Sequence, residues 1–220
     1  MTRLCIAKLA PHRAPRDDGI PNVVLKETIE QIAEYLLRIY KATFMLNTYS
    51  DRWRVWDTII LRKPGKPRYN IPKAYRLIAL MNMMAKLLSA MVTEDLIYMS
   101  ERYALLPNNH FGGWPGWCTT DAMHLMVHRI KAAWRRGNVA AVLFLDVEGA
   151  FPNAVMAHLL HNLHMCRVPE RYVLFIEQML INHHTRLKFN GYVSEWVDVN
   201  NGICSAGGSP FYDFISILQC

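Results

Sequence analysis

The stretch Leu143-Phe144-Leu145-Asp146-Val147-Glu148-Gly149-Ala150-Phe151-Pro152 is the part of this sequence best suited to chemistry. An apolar run delivers one carboxylate, then small residues, then an aromatic ring. A carboxylate at the end of a buried strand is costly unless a cation or hydrogen-bond donors compensate its desolvation. Asp146 is therefore a candidate ligand for a hard divalent cation of the kind that serves phosphoryl chemistry. An ordinary strand-end aspartate facing solvent is the alternative, and this segment alone leaves both open. Phe151 is likewise either a ring placed beside a ligand or a core residue at the start of a helix.

The second constellation is cationic. Arg62-Lys63-Pro64-Gly65-Lys66-Pro67 reads as a basic turn ahead of Lys73-Ala74-Tyr75-Arg76. Flanking strands would face Lys63 and Arg76 toward one triphosphate, with Arg as a bidentate donor and Lys as a point charge. A solvated basic face is the plainer reading. The loop from Phe111 to Ala122 joins glycines to Trp114 and Trp117, which could stack on bases, and Thr119-Thr120-Asp121 opens a helix whose N-terminus favours phosphate. His158, His161, His164 and Cys166 drift round a helix without a paired Cys-x-x-Cys, which argues against zinc. Ser/His/Asp and Cys/His nucleophile arrangements have no local support.

These residues need elements to position them. At 220 residues, 52% of them hydrophobic, the chain can bury a core in one or two domains. Residues 1–13 read as an irregular basic lead-in, with Pro21 at a first helical position. Val24, Leu25, Ile29, Ile32, Ala33, Leu36, Leu37 and Tyr40 recur at helical spacing. Strands are expected over 53–61 and 71–80, and amphipathic helices over 83–98 and 122–134. A strand buried on both faces is expected over 139–145. Helices follow over 155–163 and 172–180, then a hairpin around Asn190-Gly191.

The net charge of +7 suits a polyanionic partner as well as plain solubility. No apolar run reaches the roughly 18 residues of a membrane span. The first residues are too short an apolar run for a signal peptide, so an intracellular location, cytoplasm or nucleus, is expected. Five scattered cysteines argue for a reducing compartment over a disulfide framework.

The order of motifs is specific. Asp-Gly-Ile-Pro-Asn at 18–22, Leu-Arg-Lys-Pro-Gly-Lys-Pro at 61–67, Lys-Ala-Tyr-Arg at 73–76 and Leu-Leu-Pro at 105–107 come first. Phe-Gly-Gly at 111–113, Thr-Thr-Asp-Ala at 119–122 and Phe-Leu-Asp-Val-x-Gly-Ala-Phe at 144–151 follow. This resembles the reverse transcriptase domain of non-LTR retrotransposons, in a fungal-type subgroup. The resemblance implies an α+β right-hand polymerase with fingers at 14–138 and an incomplete palm at 139–203. It implies Lys63 and Arg76 as triphosphate-gripping residues and Asp146 as the first Mg²⁺ ligand, helped by the Val147 carbonyl. Phe151 would be the gate that excludes a 2′-hydroxyl by steric clash. RNA template, DNA primer and deoxynucleotide triphosphates are the implied partners.

Three departures bear on activity. The family's Tyr-x-Asp-Asp motif does not occur in these 220 residues. One aspartate cannot hold two metals, so a truncated, inactive remnant is expected, with a non-catalytic nucleic-acid-binding fragment as the alternative. The tail over 204–220 departs from the family, and a one-nucleotide shift restores a family-like run, so frameshifted or mis-spliced sequence is expected there. Finally, Trp114, Trp117, Cys166, His183 and His184 stand where the family suggests Arg, and Leu77 where it suggests Pro. Each is a single C-to-T or G-to-A transition, as cytosine deamination produces, and each lost Arg should remove a phosphate contact. An unpartnered 139–145 strand would expose an apolar face and favour aggregation.

Overall fold

A computed structural model describes residues 2–11, 19–107, 109–112, 116–146 and 153–199. In chain order the elements are α1 (Thr2–Ala7), α2 (Asn22–Glu27), α3 (Ile29–Met45), β1 (Val55–Arg62), β2 (Tyr75–Leu80) and α4 (Met83–Tyr103). Then come α5 (Thr119–Arg135), α6 (Met156–Met165), α7 (Glu170–Leu180), β3 (His183–Phe189), β4 (Tyr192–Val193) and β5 (Val197–Val199). The mixture of helix and sheet agrees with the expected α+β composition.

Helix α4 organises the core. Asn82 caps it, its Oδ1 accepting from the Met84 N–H at 2.9 Å. An amphipathic helix was the expectation, but Ala85, Lys86, Leu87, Leu88 and Ser89 are all buried in succession. Five consecutive buried positions span more than one turn, so α4 runs through the interior instead of along its edge. Two of its buried hydroxyls bond within the helix: Ser89 donates to the Ala85 carbonyl and Thr93 to the Ser89 carbonyl, each at 2.8 Å. α1 packs against it, the Tyr40 hydroxyl of α3 donates to the Met84 carbonyl and the Tyr172 hydroxyl of α7 to Asp95 Oδ2, each at 3.0 Å, and α6 and α7 bury side chains in the same core. The aromatic rings of Phe44, Tyr172 and Phe175 meet there at 4.9–5.1 Å between centroids.

The start of the chain corrects one expectation. Residues 2–7 form a helix, not an irregular lead-in, because Cys5 and Ile6 bury against the core. Pro21 is the N-cap of α2 and not its first helical residue.

The sheet runs β2-β1-β3-β4, with β5 also on β3. β1 and β2 form the expected antiparallel hairpin, with Ile59 opposite Ile78 and Leu61 opposite Arg76. At the second hairpin, Asn190 (φ 47°) and Gly191 (φ 83°) both take the left-handed conformation that a two-residue turn requires. The pairing between β1 and β3 is parallel, with Asp57 opposite Arg186. It joins strands from both sides of the expected boundary at residue 138. The inner face buries Trp56, Thr58, Ala79 and Thr185, and the Thr58 and Thr185 hydroxyls meet at 2.7 Å.

The 139–145 strand is not formed. Residues 138–146 have no regular structure and are largely open to solvent, with Val139 95% and Leu145 84% exposed. An apolar run becomes a central strand only where neighbours complete its backbone ladder, and the described residues offer it none. The exposed apolar surface expected of an unpartnered segment is present.

Candidate nucleic-acid interface

The β1–β2 hairpin is the most strongly charged part of the chain. Arg62, Lys63, Lys66, Arg68, Lys73 and Arg76 fall within it, and no Asp or Glu occurs between Asp57 and Glu94. Lys63 directly follows β1. Its backbone N–H donates to the Ala74 carbonyl at 2.8 Å and its Nζ to the Lys73 carbonyl at 2.9 Å. Arg76 lies on β2, exposed, opposite Leu61. Directly paired residues share a face and alternate residues return to it, so Lys63, Leu61 and Arg76 stand on one face of the sheet. The register thus brings the two expected phosphate-binding cations together. Aromatic residues brace the turn: the Tyr69 hydroxyl donates to the Lys63 carbonyl at 2.8 Å, and the Arg62 guanidinium lies 5.3 Å from the Tyr69 ring centroid.

Sequence reasoning missed the centre of this face. Asp57 is only 5% exposed, yet it lies on the same side as Lys63 and Arg76. Arg186 Nε donates to its Oδ1 and Lys188 Nζ to its Oδ2, both at 2.5 Å. Burial pushes this carboxyl up, but the hydrogen bonds and charges of Arg186 and Lys188 outweigh that and hold it below the ordinary carboxylate range. The Arg186 guanidinium also lies 4.9 Å from the centroid of Trp196. One visible signal was a lone acidic residue inside an apolar strand, Val55–Arg62. Its partners lie about 130 residues away, beyond any local pattern.

Asp146 is exposed, ends the irregular 138–146 segment, and has no hydrogen bond or ion pair among the described residues. Val147 and Phe151 lie outside the described residues, as does the 204–220 tail. No group of three or more His, Cys, Asp or Glu side chains gathers to hold a metal among the described residues. Mg²⁺ needs several hard oxygen ligands in near-octahedral array. One exposed carboxylate does not fit that requirement. No described helix is long and apolar enough to cross a membrane.

Two of the expected arginine positions sort differently in space. His184 is exposed and its Nδ1 pairs with Asp198 at 2.8 Å. His183 is buried, with Nε2 donating to the Met179 carbonyl at 2.7 Å and its ring 4.6 Å from Trp56. His183 therefore bonds the Met179 carbonyl near the end of α7, and its buried ring does not lie at a surface where a phosphate contact was expected. In the loop before α5, Asp121 closes a capping box with Cys118, accepting from its N–H at 2.8 Å. Trp117 is 47% exposed, with its ring edge-on to Phe111 at 4.9 Å.

A family model described as reverse transcriptase (RNA-dependent DNA polymerase) matches residues 61–207, about two thirds of the chain. The chain belongs to the reverse transcriptase family. It is 28% identical over 146 residues to the "Probable RNA-directed DNA polymerase from transposon X-element" of Drosophila melanogaster, covering 66% of this chain and 16% of that protein. It is 22% identical over 198 residues to the RNA-directed DNA polymerase from mobile element jockey of the same organism, covering 90% of this chain and 21% of that protein. The chain thus spans about a fifth or less of the curated relatives it matches. Within this reverse transcriptase match lie Lys63, Arg76, Asp146, Val147 and Phe151.

Proposed function

We propose that this chain is part of the RNA-directed DNA polymerase of a non-LTR retrotransposon, of the fungal-type subgroup by motif order. Residues 14–138 are its fingers and 139–203 the beginning of its palm, with the 183–199 hairpin docked back on the fingers sheet. Lys63 and Arg76 grip the triphosphate of an incoming deoxynucleotide, and Phe151 gates its sugar. Asp146 and the Val147 carbonyl would hold one part of a Mg²⁺ site that further acidic ligands complete, and a metal bound there would supply charge neutralisation at the transferred phosphate. RNA template and DNA primer are the partners, and cytoplasm or nucleus the place of action.

The observation that carries this reading is the hairpin: six cations over residues 62–76 with no acidic residue between Asp57 and Glu94, and Lys63 and Arg76 on one face. A second reading concerns this polypeptide by itself. The solitary, exposed Asp146 supports a chain that binds nucleic acid without extending a primer. Both are tested by giving the 220-residue protein a primed RNA template, Mg²⁺ and deoxynucleotides. The expected result is binding that weakens with salt and no extension. Extension abolished by Asp146→Ala would reject the binding-only reading and establish Asp146 in the chemistry. The absence of salt-dependent binding would reject both.

A further inference from the structure

The outer face of the sheet carries more than the Lys63 and Arg76 pair. The parallel register between β1 and β3 continues that face onto His184, Arg186 and Lys188. The loop that follows β4 then folds over it. Ser194 fixes this loop to β3, its Oγ accepting from the Leu187 N–H at 2.9 Å and its N–H donating to the Leu187 carbonyl at 3.0 Å. Two residues later Trp196 meets the Arg186 guanidinium at 4.9 Å. The Nε of that guanidinium donates to the buried Asp57 carboxylate. The indole is thus placed by a chain of contacts reaching down to the sheet. Yet Trp196 keeps 46% of its surface exposed, so ring area remains that the guanidinium does not cover.

We propose that Trp196, positioned by Arg186 and Asp57, is a stacking platform for an unpaired base of single-stranded RNA, whose phosphates then follow Lys188, Arg76 and Lys63 across the sheet. The reading rests on the polymerase assignment and names a template subsite within it. Charge complementarity selects the occupant. Four cations, Lys63, Arg76, Arg186 and Lys188, share this face with Asp57, and the hairpin tip adds Lys66 and Arg68. Ring and cations together are what sequence-tolerant binding of a single strand uses, because every base offers a π face and every nucleotide a phosphate. The dimensions agree. From Arg186 to Arg76 is two strand spacings across and four residues along, about 16 Å from ~4.8 Å and ~3.3 Å steps. That span holds about five stacked nucleotides at ~3.4 Å each. A base inside a duplex has both faces covered by its neighbours and only the terminal pairs keep a free face, so the platform discriminates against duplex.

The test measures affinity of the full 220-residue chain for oligouridine RNA and for a blunt RNA duplex across a salt series, by fluorescence anisotropy. Trp196→Ala should weaken single-strand binding about tenfold. The slope of log affinity against log salt should stay unchanged, since no phosphate contact is lost. Duplex binding should not change. Trp196→Phe, which keeps a ring, should restore most of the single-strand affinity. Trp196 is half exposed, so folding is expected to survive, and an unchanged far-UV circular dichroism spectrum checks this. Wild-type single-strand affinity in Trp196→Ala, alongside a loss in a Lys63→Gln/Arg76→Gln variant, would overturn the platform while leaving the polymerase reading intact. An equal loss on duplex and single strand, or a shallower salt slope in Trp196→Ala, would also overturn it. No salt-dependent binding by the wild type would overturn the platform and the reading together.

Discussion

The buried ring of His183 makes the stability of this fold depend on pH in a way that can be worked out. The residue is 5% exposed, its ring tilted against Trp56, with Nε2 donating to the Met179 carbonyl at 2.7 Å. Burial pushes its pKa down to about 4, against the two carbonyls of Met179 and Arg54, which favour the protonated ring, and with the nearby Arg54 guanidinium assisting. In the unfolded chain the same side chain titrates near its ordinary value of about 6.5. Between those values the unfolded state binds a proton that the folded state does not. Stability from this group is therefore complete above about pH 6.5 and falls as pH drops toward 4. Going from pH 7 to pH 5 should cost about 2 kcal/mol, and the full offset is about 3 kcal/mol. Glutamine at this position can still donate to the Met179 carbonyl but does not titrate. Urea unfolding followed by tryptophan fluorescence at the two pH values should show the wild type losing about 2 kcal/mol more than His183→Gln. Equal losses would refute the reasoning, because the other histidines are common to both proteins.

Three further outcomes are expected. Arg54→Met removes the donors that reach the Gln178 and Ile181 carbonyls at the end of α7, at 2.7 and 2.5 Å, and should lower stability by about 2–3 kcal/mol in a thermal melt. Asp57→Ala leaves the Arg186 and Lys188 charges facing each other and should cost about 2 kcal/mol at neutral pH, after allowance for their partial exposure. Because the Asp57 carboxyl titrates below its ordinary value when folded, its contribution exists above about pH 4 and is lost on further acidification, so the two proteins should converge in acid melts. Lys63→Gln with Arg76→Gln should flatten the salt dependence of RNA binding by about two units of slope, read from anisotropy titrations.

Local pattern determined a good deal. The helical spacing of Ala33, Leu36 and Tyr40, the apolar runs of β1 and β2, and the Asn190-Gly191 turn each fix an element through interactions within a few residues. The same holds for Lys63 and Arg76, which a short hairpin brings to one face with no help from distant chain. Backbone sterics and side-chain periodicity act locally, so the sequence displays them.

Tertiary structure decided the rest. Residues 139–145 have the composition of a buried strand, but a strand exists only with a ladder partner, and the described residues give these positions solvent instead. Helix α4 reads as amphipathic and is interior, because neighbours on several sides cover it. His183 reads as a lost arginine on a phosphate and proves to be buried, bonding the Met179 carbonyl of α7. Above all, Asp57 joins Arg186, Lys188 and Trp196 only through the parallel pairing of β1 with β3. Which strand lies beside which is set by the packing of the whole core, a sum over distant contacts that no window of sequence contains.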